Sequence, residues 1–147
     1  MKVYLPGLLE RLMGEREQLK DSVARDLEAL FNTRSAEPPA RWQDWPLARA
    51  SVLNYGLADR AGADLAGSEE RAMLCASLKQ AIECHEPRLS DVSAVLEPEA
   101  GAIDRLRFAI HATLAAPGGA EPVDFDSVLQ PSSLHYAVRR AGRPPRA

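Results

Sequence analysis

Apolar residues recur at Leu19, Val23, Leu27, Leu30 and Phe31, the i, i+4, i+8, i+11, i+12 spacing of one helical face, while Lys20, Asp21, Arg25, Asp26 and Glu28 keep the opposite side charged. The spacing predicts a helix over about 19–32, closed by Asn32, Arg34, Ser35 and the Pro38-Pro39 pair. Upstream, Leu8-Leu9-Glu10-Arg11-Leu12-Met13 lies between Gly7 and Gly14 and follows Pro6, so residues 1–18 read as an N-terminal arm holding at most a short amphipathic turn. A second helical face, Leu74, Leu78, Ala81 and Ile82, is preceded by Ser68 as the expected N-cap, with Glu69 and Glu70 at the positive end of the helix dipole. Pro87 stops this helix at Cys84 or His85, because a proline pushes the residue before it out of the α region.

Beyond Pro87 the period changes from 3.6 to 2. Val92, Ala94 and Leu96 alternate with Ser93, Val95 and Glu97, and Leu106, Phe108, Ile110, Ala112 and Leu114 alternate with Arg105, Arg107, Ala109, His111 and Thr113. Pro117-Gly118-Gly119 then turns the chain into Val123, Phe125 and Leu129, and a last alternation runs through Leu134, Tyr136 and Val138. Helices first and strands last, with short turns between strands, predict an α+β fold: an antiparallel β-meander of about three to four strands packed against two main α-helices. Between the helices, Arg41 to Asp64 carries Trp42, Trp45, Pro46, Tyr55, Gly56 and Gly62 and is too irregular for one long element. The expected organisation is an arm over 1–18, a single domain over 19–138 and a basic, disordered tail over 139–147.

A length of 147 residues, 46% of them hydrophobic, suits one domain with a closed core. With 18 Lys+Arg against 21 Asp+Glu the net charge is −3, which argues against nucleic acid as a partner. No apolar run approaches the roughly 18 residues of a membrane-spanning helix, so no direct membrane insertion is expected. Two cysteines are too few for a disulfide scaffold and suit a reducing, cytoplasmic setting. Cys75 and Cys84 are nine positions apart, which on a helix is about 900° of rotation and points them to opposite sides. With no paired C-x-x-C and no H-E-x-x-H, no metal is expected. His111 and His135 fall on the polar side of their strands, and neither a nucleophile elbow nor a phosphate loop is present; no catalytic residue and no cofactor is expected.

The feature left over is Glu86-Pro87-Arg88-Leu89, where the second helix gives way to the sheet. Pro87 stiffens the backbone, so an acid and a base stand on a fixed corner, able to pair with each other or with charges on another chain. A glycosidase would use Glu86 as a general acid with a second carboxylate nearby, but an adjacent guanidinium favours the ionised carboxylate instead.

Three ordered stretches carry a resemblance: Leu19-Lys20-Asp21-Ser22-Val23-Ala24-Arg25-Asp26-Leu27-Glu28-Ala29-Leu30-Phe31-Asn32-Thr33-Arg34, then Ser51-Val52-Leu53-Asn54-Tyr55-Gly56-Leu57, then Ala81-Ile82 ahead of Glu86-Pro87-Arg88-Leu89. From about Leu8 to Val138 the chain resembles the TssE family of bacterial type VI secretion, within the lysozyme-like baseplate wedge proteins of contractile phage tails. The resemblance implies a lysozyme-like baseplate wedge fold and a structural, non-enzymatic role in the cytoplasm, at a baseplate docked on the inner membrane. It implies TssF and TssG as wedge partners, other baseplate subunits such as TssK, and help in starting the first ring of the TssB/TssC sheath. On this resemblance Glu86, Pro87, Arg88 and Leu89 are partner-binding, as are Asn54, Tyr55 and Gly56, the last of which also suits a turn. The alternative it leaves is a lysozyme-like peptidoglycan hydrolase. Ala58 and His85 depart from the family pattern, which often has Pro after Gly-Leu and an aromatic before Glu-Pro-Arg. An open sheet edge would offer the sheath a place to add strands.

Overall fold

A computed structural model of the chain describes residues 8–59, 65–98 and 105–142. Helix α1 (Leu8–Phe31) leads into an irregular stretch with a 3₁₀ turn at Pro39–Trp42, a single-turn helix α2 (Pro46–Arg49) and a second 3₁₀ turn at Val52–Asn54. Helix α3 (Ser68–His85) then feeds β1 (Leu89–Glu97), β2 (Leu106–Ala116), β3 (Gly119–Gln130) and β4 (His135–Arg140). The four strands form one antiparallel sheet in sequence order, the meander that the alternation predicts.

The sheet's inner face follows the period-2 reading. Phe108, Ile110, Ala112 and Leu114 of β2, Val123, Phe125 and Leu129 of β3 and Tyr136 of β4 are buried with Val23, Leu27, Leu30 and Phe31 of α1 and Leu74, Leu78 and Ile82 of α3. Phe31 meets Tyr136 edge to face at 5.5 Å. On the outer face, one charged residue from each strand joins a row: Glu97 with Arg107 (3.2 Å), Arg107 with Asp126 (2.9 Å) and Arg139 with Asp126 (3.6 Å). His111 also lies there, exposed, against Asp124 at 2.7 Å.

Several boundaries differ from expectation, each for a tertiary reason. The segment 8–18, read as part of an arm, is the beginning of α1, which runs unbroken through Gly14. A glycine in a helix costs about 1 kcal/mol, and contacts along the following turns offset it. Arg16 donates twice to the Pro117 carbonyl (3.2 and 2.9 Å), Lys20 meets Glu121 at 3.3 Å, and Glu17 pairs with Arg140. Residues 1–7 lie outside the described residues. Arg139 and Arg140, read as the start of a loose tail, are the last residues of β4, opposite Asp126 and Phe125; residues 143–147 lie outside the described residues. Ser68 is the first residue of α3 rather than its cap, because the extended backbone falls on Gly67, which offers no side-chain hydrogen bond. Leu134 sits in the β3–β4 turn at φ +54°.

The β4 edge is covered by α1. Asn32, just past α1, lies against β4 as a substitute strand neighbour: its Nδ2 donates to the Tyr136 carbonyl and its Oδ1 accepts from the Tyr136 N–H, both at 2.8 Å. Glu28 accepts the Val138 N–H at 2.8 Å. Along β1, a bulge between Ser90 and Ser93 with Asp91 at φ +51° keeps Val92 turned into the core. Further along that strand the Leu96 backbone hydrogen-bonds the Cys75 thiol of α3.

Candidate functional site

The corner forms because α3 and β1 meet with almost no loop. The Glu86 N–H closes the helix on the Ile82 carbonyl (2.9 Å), the Glu86 carbonyl accepts from the Leu89 N–H (3.2 Å), and the Arg88 carbonyl already accepts from Ala115 on β2 (2.9 Å). The Glu86 carboxylate is turned inward and only 5% exposed, so the expectation of a surface acid is corrected. Arg88 holds it bidentately, Nε to Oε1 at 2.7 Å and Nη2 to Oε2 at 2.6 Å, and the Arg88 backbone N–H adds a third donor to Oε1 at 3.1 Å. The pair spans the proline and locks the turn from within.

Asp26 completes the arrangement. It lies on the charged side of α1, and its Oδ2 accepts from Arg88 Nη2, so one guanidinium ties the first helix to the corner 62 residues later. Glu86 above all, and Asp26 with it, hold Arg88 more firmly protonated than an ordinary arginine. Pairing across 62 residues leaves no local pattern, which is why sequence spacing did not single out Asp26. A polar position on the charged face of an otherwise regular helix was the one signal it gave.

Asn54, Tyr55 and Gly56 converge on the same corner. The Tyr55 ring packs edge to face on His85 at 5.3 Å, and His85 Nε2 lies 3.1 Å from the Asn54 carbonyl. Burial raises the Tyr55 phenol above its ordinary value, and the nearby Asp26 and Glu86 charges add to the shift. Burial likewise lowers His85, against the opposing pull of the Asn54 carbonyl, so the ring is neutral at pH 7. Gly56 has φ +114°, and a Cβ there would lie 2.5 Å from the Thr33 carbonyl oxygen. This close approach lets Leu57 exchange backbone hydrogen bonds with Thr33 (2.9 Å) and Ser35 (2.8 Å), pinning the loop to the end of α1.

The expected partner-binding residues thus divide. Leu89 is a core residue, Glu86 is buried and Gly56 is committed to a backbone contact. Pro87 is exposed, Arg88 is one-third exposed and Asp26 about half, so these three present the corner outward. As acid-base machinery the corner is poor. Asp26 supplies a second carboxylate, but it and Glu86 are bound to one and the same guanidinium instead of standing as two independent groups. Cys75 and Cys84 are both free, and among the described residues no group of three His, Cys, Asp or Glu converges as a metal site. Among those residues no helix is long and apolar enough to cross a membrane.

The family model for baseplate wedge protein gp25 matches residues 17–118. The chain belongs to the gp25 baseplate wedge family. The gp25 match begins in α1, ends in the β2–β3 turn and contains Asp26, Asn54-Tyr55-Gly56 and Glu86-Pro87-Arg88 together; β3 and β4 lie beyond it. None of the curated proteins matches the chain.

Proposed function

We propose that this gp25-family chain is a structural wedge subunit of a type VI secretion baseplate, joining TssF and TssG, standing beside subunits such as TssK, and helping to start the first TssB/TssC sheath ring. In this reading it works in the cytoplasm, at the inner-membrane-docked baseplate, and catalyses nothing. The observation that supports it is the corner: within the family-matched stretch, Asp26, Glu86 and Arg88 form a preorganised cluster whose rim, with Pro87, is exposed and so available to a partner. A guanidinium fixed by two carboxylates keeps a known orientation without losing side-chain entropy on association. Leu89 and Gly56 serve the site by positioning it, from the core and from the α1 junction.

Co-expression with TssF- and TssG-like subunits tests the proposal. The expected result is one complex holding all three chains through size exclusion at moderate salt. Recovery of a TssF–TssG complex with this chain eluting separately would overturn it, and release of cell-wall fragments that vanishes with Glu86→Gln would favour the hydrolase.

A further inference from the structure

Four large apolar side chains stand in solvent within nine residues: Trp45 (67% exposed), Leu47 (89%), Val52 (84%) and Leu53 (66%). They belong to α2, the residue before it and the second 3₁₀ turn, two short elements that touch each other and contribute no buried residue to the core. One helical turn does not hold itself together in water. Polar bonds hold this one instead. Ser51 Oγ donates to the Ala48 carbonyl at 2.6 Å, Asn54 Nδ2 to the Arg49 carbonyl at 2.9 Å, and Ser35 Oγ to Asn54 Oδ1 at 3.2 Å. The segment is therefore fixed with its apolar side chains outward, the reverse of how a loop carrying large aromatics usually folds. Between it and α3 runs a groove lined by Trp42, Arg49, Asn54, Gln80, Cys84 and His85. Of the charged groups around it, Glu37 is already paired with Arg41 (3.5 Å) and His85 is neutral, which leaves the exposed Arg49 guanidinium as the charge the groove offers.

We infer that this segment is a second docking surface, for an amphipathic helix of a wedge partner that lays apolar side chains on Trp45, Leu47, Val52 and Leu53 and presents one carboxylate to Arg49. A helix is the occupant that matches a short, preorganised apolar ridge beside a groove with one positive charge. The surface is continuous with the Asn54-Tyr55-Gly56 loop, so a partner on the charged corner reaches it without leaving the chain. The inference rests on the wedge reading and specifies which part of the partner is met.

The test uses the full chain with its TssF–TssG complex, measured by equilibrium binding, for the parent, Leu47→Asp, Val52→Asp and Arg49→Glu. Because these side chains are exposed, thermal melts of the free variants should match the parent. Each aspartate is expected to weaken binding at least about 30-fold, as loss of a central contact does. Arg49→Glu should weaken it more at low salt than at high salt. Unchanged binding by all three variants, with the parent bound, overturns this inference and leaves the wedge reading intact; a parent that does not bind overturns the wedge reading itself. Self-association of the parent that the aspartates abolish, with partner binding unaffected, would assign the surface to a second copy and also overturn it.

Discussion

Glu86→Gln removes one charge from the corner and almost no volume. The carboxylate is buried and accepts three hydrogen bonds, two from the Arg88 guanidinium and one from its backbone N–H. The glutamine keeps one acceptor but turns an NH₂ group toward a guanidinium N–H, so at least one charge-assisted bond is lost and two donors face each other. Hydrogen bonds to charged groups contribute about 1.5–3 kcal/mol, and breaking a fully buried ion pair costs about 3–5 kcal/mol. Arg88 is one-third exposed and keeps Asp26, so part of that cost is recovered by water and by the second carboxylate. The expected loss is about 2–3 kcal/mol, read as urea unfolding at pH 7, with the melting temperature lowered by roughly 5–10 °C for a chain of this size. Asp26→Asn should cost less than about 1 kcal/mol, since that partner is half exposed. A Glu86→Gln protein within about 0.5 kcal/mol of the parent would refute the claim that the pair locks the corner from within.

Gly56→Ala forces a Cβ against the Thr33 carbonyl in a backbone conformation L residues avoid, and should cost at least about 3 kcal/mol in chemical denaturation; a loss under 1 kcal/mol would show that the loop yields. Asn32→Ala strips β4 of both partners at Tyr136 and should cost about 2–3 kcal/mol, with the Tyr136 amide losing protection in hydrogen exchange; unchanged protection would mean α1 does not guard that edge. Because folding lowers the His85 pKa, the unfolded chain takes up a proton below the ordinary histidine value near 6.5 that the folded chain resists. Stability should therefore be full above that range and fall as pH drops through it. In His85→Phe the decline between pH 7.5 and 5.5 should be shallower than in the parent, and equal slopes would contradict the assignment.

The inner face was legible in the sequence because burial follows period. Every second residue of β2 from Leu106 to Leu114 is apolar, and the structure turns those residues toward the α1 and α3 faces that the 3.6 spacing marks. What sequence could not supply were pairings between distant segments. Gly14 argued for a break in α1, and only the grip of Arg16 on the β2–β3 turn and of Lys20 on β3 shows why the helix continues. Asn32 read as a helix terminator, which it is, but its service to β4 lies 104 residues away. At the corner, Glu86-Pro87-Arg88 was visible as a motif, whereas its inward turn depends on Asp26 and on the close α3–β1 junction. The outward turn of Trp45, Leu47, Val52 and Leu53 went against the rule that large apolar side chains fold inward.

The claim that the chain is a fixed piece of a larger assembly is tested most directly by mass measurement of the chain co-purified with TssF and TssG. The account predicts a single species containing all three chains, and loss of this chain alone when Pro87 and Arg88 are replaced in a protein that still melts cooperatively. A TssF–TssG complex that forms at full yield while this chain elutes at its monomer size would contradict it.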